Sequence, residues 1–244
     1  MKRSSLIGIV GQLLLALFGS GIATADGVAS TAHPLATKTA EGIFDSGGNA
    51  ADAAIAVSLA LSVVEPTLSG LGGRAQALVR TPDGGYHGYN GMTEIPAVFR
   101  VDDQAEAYGY TTIATPGLIA LLEAIHEAHG SLPIAKLIEP AQQLASDGFR
   151  LLPGEAVRHA SAAPVFRQDQ DMAGIFLDAK GETFSAGAIL RQPALATTLS
   201  KLADSGLASF YRGYIAKKIS RDVLANGGFV TRSDLSAYRV LPGN

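Results

Sequence analysis

The 244-residue chain contains no cysteine and no tryptophan. Without cysteine there is no disulfide, no thiolate metal site and no cysteine nucleophile. Histidine is sparse. His33, His87, His126, His129 and His159 show no HExxH or comparable ligand spacing, so no metal is expected. Charged residues make up only 17% of the chain, the formal net charge is -3, and no basic run occurs. That balance argues against a nucleic-acid groove. Serine and threonine are plentiful, yet no GxSxG elbow or SxxK pair appears. What remains is a chain that is 47% hydrophobic, long enough to bury a core in one domain or two.

The N-terminus carries a pattern of its own. Lys2 and Arg3 precede an apolar run from Leu6 to Phe18, and Ala23-Thr24-Ala25 has the A-x-A form of a cleavage site. Residues 1–25 therefore read as a signal peptide, with a mature chain starting at Asp26 in the periplasm or outside the cell. A retained N-terminal anchor is the alternative, but the run is short for a span.

VAST (28–31) reads as a short strand and HPLATKTAEGIFDSGGN as a helix ended by Gly47-Gly48. Asn49 then caps a second helix, with Asp52 three residues on as an imperfect capping box. From Ala50 to Val64 its only charge is Asp52. About fifteen residues is too short to cross a bilayer untilted, so this is a buried central helix. AQALVRT and GYHGYNGM alternate as strands around the turn Pro82-Asp83-Gly84-Gly85. Thr115-Pro116-Gly117 opens a helix that stops at Gly130, with Thr115 as cap. LPIAKLIEPAQQLASDGF must bend or break at Pro140. Residues 151–192 read as a loop-rich stretch with isolated helical turns, and helices resume at PALATTLSKLADSG and YIAKKISRDVLANGG. Thr231 and Asp234 form another box-like cap, opening DLSAYRV.

None of these segments alone proves an activity. SGLGG (69–73) could aim several N–H groups at one anion, but it lacks the Lys and hydroxyl of a phosphate loop. Close backbone packing is its simpler role. His126 and His129, three apart, read as a solvated helix face rather than metal ligands. Glu65, at the negative end of the apolar helix, calls for a partner. Glu94 and Asp83 read as loop and turn residues.

Three blocks change this picture: HPLATKTAEGIFDSGGNAADAAIAVSLALSVVEPTLSGLGG, TIATPGLIALLEAIHEAHGSLPIAKLIEPAQQLASDGF and FYRGYIAKKISRDVLANGGFVTRSDLSAYRV. In this order, and with this Gly and Pro punctuation, the chain resembles the N-terminal part of the γ-glutamyltranspeptidase family. The resemblance implies an α/β (α+β) fold: the N-terminal part of an αββα sandwich of the N-terminal-nucleophile hydrolase type, over residues 26–244. It also implies an extracytoplasmic enzyme that cleaves γ-glutamyl amides such as glutathione and passes the acyl group to water or an amino acid. Family members cut themselves into a large and a small subunit. The new N-terminal Thr of the small subunit is nucleophile and, through its amine, base. No cofactor and no metal are implied.

The chain departs from that pattern in three places. The Thr that marks the cleavage point has no counterpart, and Thr31, Thr111 and Thr112 lie in large-subunit blocks. No catalytic residue is therefore assigned, and the expected partner is a small-subunit-like chain, giving a heterodimer that acts on a small-molecule amide. Next, aligning Pro96-Ala97 puts Met92 where the family has an Arg that grips the substrate α-carboxylate. Finally, the family's glycine run ending in Phe reads GGRAQ (72–76), so Arg74 is a new charge near the substrate. Coming from a different segment, Arg74 would approach from another direction. The competing reading is an inactive truncated relative that binds small molecules or nothing.

Overall fold

The structure, a computed structural model, describes residues 27–100 and 108–243. The expected signal segment and the start at Asp26 lie outside the described residues. Helix α1 (Pro34–Asp45) begins at His33, whose Nδ1 accepts from the Leu35 N–H at 3.0 Å. Gly47 ends it with φ +82°, a conformation that L side chains resist. Helix α2 (Ala50–Val64) follows with the expected reciprocal cap: Asn49 Oδ1 accepts from Asp52 N, and Asp52 Oδ2 accepts from Asn49 N.

Packing explains why α2 is apolar nearly all round. It touches α1, α3 (Leu118–His129) and α4 (Ile134–Asp147), and Ile55, Ala56, Leu59, Ala60, Val63 and Val64 have no exposure. Each large aliphatic side chain so buried is worth about 1.5–3 kcal/mol, while the alanines let the neighbouring helices approach closely. Among the described residues, no helix is long and apolar enough to cross a membrane.

The expected hairpin is present as β1 (Ala75–Arg80) and β2 (Tyr86–Gly91), paired antiparallel from Ala75↔Gly91 to Arg80↔Tyr86. A third strand, β5 (Leu241–Gly243), adds to β2. The inner face of this sheet rests on α3. On the outer face Leu78, Tyr86 and Leu241 stay largely exposed. β3 (Phe149–Arg150) and β4 (Ile189–Leu190) make a separate short pair.

Several expectations need correction. VAST forms no strand, and Val28 is fully solvated with no partner edge. Helix α3 starts at Leu118 rather than behind Thr115, because Thr115 is buried in a two-way backbone bridge with Glu94. Helix α4 runs unbroken through Pro140. Buried Leu137, Ile138, Ala141 and Ala145, on both sides of the proline, pack on α2 and α7 (Pro193–Ser205) and hold the two halves together. The loop-rich stretch from 151 contains a full helix, α5 (Pro153–Phe166), and a shorter α6 (Gln170–Phe176). Buried Glu155 and His159 hide the apolar period of α5. The remaining helices are α8 (Ser209–Arg212), α9 (Tyr214–Ala225) and α10 (Arg232–Ala237), the last with the expected Thr231–Asp234 box.

Candidate functional site

Met92 directly follows β2, and its backbone is held by two hydrogen bonds. Its N–H donates to Asn90 Oδ1 at 3.3 Å, and its carbonyl accepts from the Tyr238 hydroxyl at 2.7 Å. One residue earlier, Gly91 is buried where a Cβ would strike Leu121 and the Gly117 carbonyl. Only glycine lets the strand end lie this close to the start of α3. The Met92 side chain is 38% exposed. It is therefore presented at the surface by a rigid backbone.

Two stacked tyrosines supply that rigidity. Tyr238 and Tyr211 lie 5.6 Å apart at 12°. The Tyr211 hydroxyl donates to Pro116 O at 2.9 Å and accepts from Ala120 N at 3.2 Å. Burial, then the charge of Glu94, pushes the Tyr238 phenol up to about 12. Burial raises Tyr211 further. Both hydroxyls stay protonated at neutral pH and keep donating. The loop beyond Met92 is tied down by Asp234, which accepts from Ala97 N at 2.9 Å. Burial works against the Asp234 charge, but the Ala97 and Thr231 donors hold its carboxyl below the usual value.

Arg74 immediately precedes β1. The hairpin ladder ends at Ala75↔Gly91, and Arg74 and Met92 lie just beyond it, outside both strands. They do not share a cavity. Arg74 lines a hollow of about 430 Å³ with Ser58, Leu61, Ser69, Gly70 and Leu118, and Met92 is not part of it. A larger cavity of about 830 Å³ between α7 and α9 contains neither residue.

The SGLGG turn does pack closely, as its simpler reading holds. The Gly73 carbonyl accepts from both Gly117 N and Leu118 N at 3.1 Å and so satisfies the first turn of α3. His126 and His129 are not a solvated face: His126 Nε2 meets the Leu132 carbonyl at 2.8 Å and His129 Nε2 meets the Tyr89 hydroxyl at 2.7 Å. Among the described residues no group of three or more His, Asp or Glu could hold a metal. Glu65 has found its partner in Arg158, which donates to Oε2 from α5. Asp83 stays a turn residue, accepting from Thr81 and Gly85. None of Tyr238, Tyr211 and Asp234 was assigned to the site from the sequence. Only the Thr231–Asp234 spacing hinted at one of them.

The open-faced sheet backed by helices agrees with the α/β N-terminal part of a sandwich that the resemblance implies, and the solved neighbours place it among N-terminal-nucleophile hydrolase folds. The structure superposes on γ-glutamyltranspeptidase from Helicobacter pylori with a TM-score of 0.84 at 30% identity, covering 88% of this chain and 65% of that one. On the transpeptidase CapD of Bacillus anthracis the TM-score is 0.76 at 32% identity, over 89% and 70%. The γ-glutamyltranspeptidase family model matches residues 36–242, and the chain belongs to that family. It is 31% identical to a glutathione hydrolase proenzyme of Escherichia coli, over 88% of this chain and 39% of that protein. To an oxamate amidohydrolase proenzyme of Klebsiella pneumoniae it is 32% identical, over 87% and 42%. The chain thus spans about two fifths of the curated relatives it matches.

Proposed function

We propose that this chain is the large-subunit side of an exported γ-glutamyltranspeptidase-type amidohydrolase or acyltransferase, working with a small-subunit-like half that carries the nucleophilic threonine. The observation that carries this reading is the fixed presentation of Met92. The strand end, the Gly91–Gly117 contact and the Tyr238 clamp together build a rigid wall, in a chain matched by the family model over nearly its whole described length. In this reading the partner's threonine attacks the amide carbonyl, an acyl-enzyme forms as the amine leaves, and water or an amino acid then takes the acyl group. This chain supplies the wall that orients the acyl side.

Met92 bears on specificity. A guanidinium grips a carboxylate bidentately, whereas a thioether offers apolar contact and weak acceptance. Losing such a pair in a desolvated pocket costs about 2–5 kcal/mol. The assembled enzyme therefore prefers acyl groups without a free α-carboxylate at the usual place. The relatives' names, which include both glutathione and oxamate, are consistent with a family wall that accepts more than one acyl group.

The test is co-expression with a small-subunit-like half, measuring release of anilines from γ-glutamyl and uncharged acyl anilides. The pair should turn over and Met92→Arg should raise the γ-glutamyl rate relative to the uncharged one. The chain alone should be inactive. Turnover by the rigorously purified single chain would refute the reading, and a pair that assembles without turnover would favour an inactive relative. Export is tested by N-terminal sequencing, with Asp26 expected first.

A further inference from the structure

Two asparagines, Asn90 and Asn226, are followed by glycine. Such a pair can react with itself. The glycine nitrogen, once deprotonated, attacks the asparagine side-chain carbonyl carbon, and the side-chain amide leaves as ammonia. Water then opens the cyclic imide at either carbonyl, giving aspartate or isoaspartate. Glycine favours closure because it brings no Cβ against the ring. The fold puts the two pairs in opposite settings. Asn90 is paired on both sides, with Gln76 and with Leu241. Its Oδ1 accepts from Met92 N at 3.3 Å, and a Cβ on buried Gly91 would strike Leu121 and the Gly117 carbonyl. Ring closure there would tear a packed strand out of its sheet. Asn226 and Gly227 are both exposed, at the end of α9. Gly227 has φ +82° with nothing within 4 Å of a Cβ, and its N–H makes one long bond, 3.3 Å to Leu224 O. A last helical turn of this kind opens at low cost.

We propose that Asn226 is a site of spontaneous deamidation, and that its conversion loosens the end of α9. This goes beyond the hydrolase reading and does not depend on it. Ring closure consumes the Gly227 N–H, so the Leu224 carbonyl loses its donor. The intact Asn226 Nδ2 donates to the Asp222 carbonyl at 2.9 Å, and a carboxylate cannot. The new charge also stands at the negative end of the helix, one turn from Asp222. The Asp222 carboxylate in turn accepts from the Tyr110 hydroxyl at 3.3 Å. Asp222 and Val223 line the 830 Å³ cavity, so the loosened turn is part of that cavity's wall.

The experiment is timed incubation of the purified full chain, followed by peptide mass mapping, with a urea-unfolded sample alongside. In the folded chain Asn226 should convert about tenfold or more faster than Asn90, a barrier difference of about 1.4 kcal/mol. In urea the two should convert at similar rates, because the sheet no longer guards Asn90. The Asn226 rate should rise with pH, since the deprotonated nitrogen attacks. Isoaspartate should appear beside aspartate, as the imide route requires and direct amide hydrolysis does not. Asn226→Gln should abolish the fast conversion. Asn226→Asp, which stands for the aspartate product, should lower Tm by about 1–4 °C. Equal rates for the two asparagines in the folded chain overturn the proposal, as does an Asn226 that stays intact while the unfolded chain converts. Aspartate without isoaspartate rules out the imide route, and an unchanged Tm for Asn226→Asp rules out the loosening of α9.

Discussion

Replacing Asp52 by asparagine should be among the most damaging single-atom changes in this chain. Asp52 has no exposure. Its oxygens accept from Asn49 N at 2.9 Å, Ser131 N at 3.0 Å, Ser131 Oγ at 2.5 Å and Leu132 N at 3.3 Å. One carboxylate therefore closes the start of α2 and pins the turn between α3 and α4, some eighty residues away. An amide keeps one accepting oxygen and turns an NH2 toward donors it cannot satisfy. A hydrogen bond to a charged group is worth about 1.5–3 kcal/mol, and an orphaned buried donor costs a similar amount, so Asp52→Asn should cost about 3–5 kcal/mol. The assay is urea unfolding, with Ser131→Ala and the double variant completing a thermodynamic cycle.

The pH dependence follows from the same geometry. Burial opposes the Asp52 charge, but the Ser131, Asn49 and Leu132 donors together hold its carboxyl below the ordinary 3.8. With the folded value depressed, the contribution is fully present above about pH 4 and is lost as pH falls through the folded value. The variant should lack that acid limb. A cost under about 1 kcal/mol, with no coupling to Ser131, would refute the hub role.

Other outcomes follow from the same reasoning. His159 is buried among Phe166 and Phe176 beside Arg158 and Glu65, and burial first, then Arg158, lowers its pKa from 6.5. The unfolded chain binds the extra proton, so stability should fall as pH drops below about 6.5, and His159→Leu should flatten that slope in denaturation measured between pH 7 and 5. Gly117→Ala would drive a Cβ into the Gly91 carbonyl and the Tyr238 hydroxyl; a loss of about 2 kcal/mol or more in thermal unfolding is expected, and a neutral result would contradict the close approach. Tyr238→Phe removes the donor to Met92 O and should cost about 1 kcal/mol, more if the carbonyl finds no water. The exposed Leu78, Tyr86 and Leu241 face should make the isolated chain self-associate in sedimentation, and a small-subunit-like half should suppress this.

Much of the fold was legible residue by residue because it is set by local chemistry. The Asn49–Asp52 and Thr231–Asp234 boxes, the Gly47 stop and the hairpin turn at Pro82–Gly85 each act within a few residues, so their spacing survives in the string of letters. The buried character of α2 was legible too, since fifteen apolar residues with one charge have few other places to go. Tertiary contacts decided the rest. Pro140 sits in an unbroken helix because packing on both sides outweighs one missing hydrogen bond. Thr115 was claimed by Glu94 in an isolated backbone bridge, and so could not cap α3. Helix α5 was hidden because its buried positions hold Glu155 and His159, polar residues whose partners and neighbours come from elsewhere in the chain. At the site, the letters singled out Met92 and Arg74, but their places just beyond the last pair of the hairpin depend on the strand register. The clamp on Met92 depends on a tyrosine 146 residues away, and no local pattern encodes a contact at that separation.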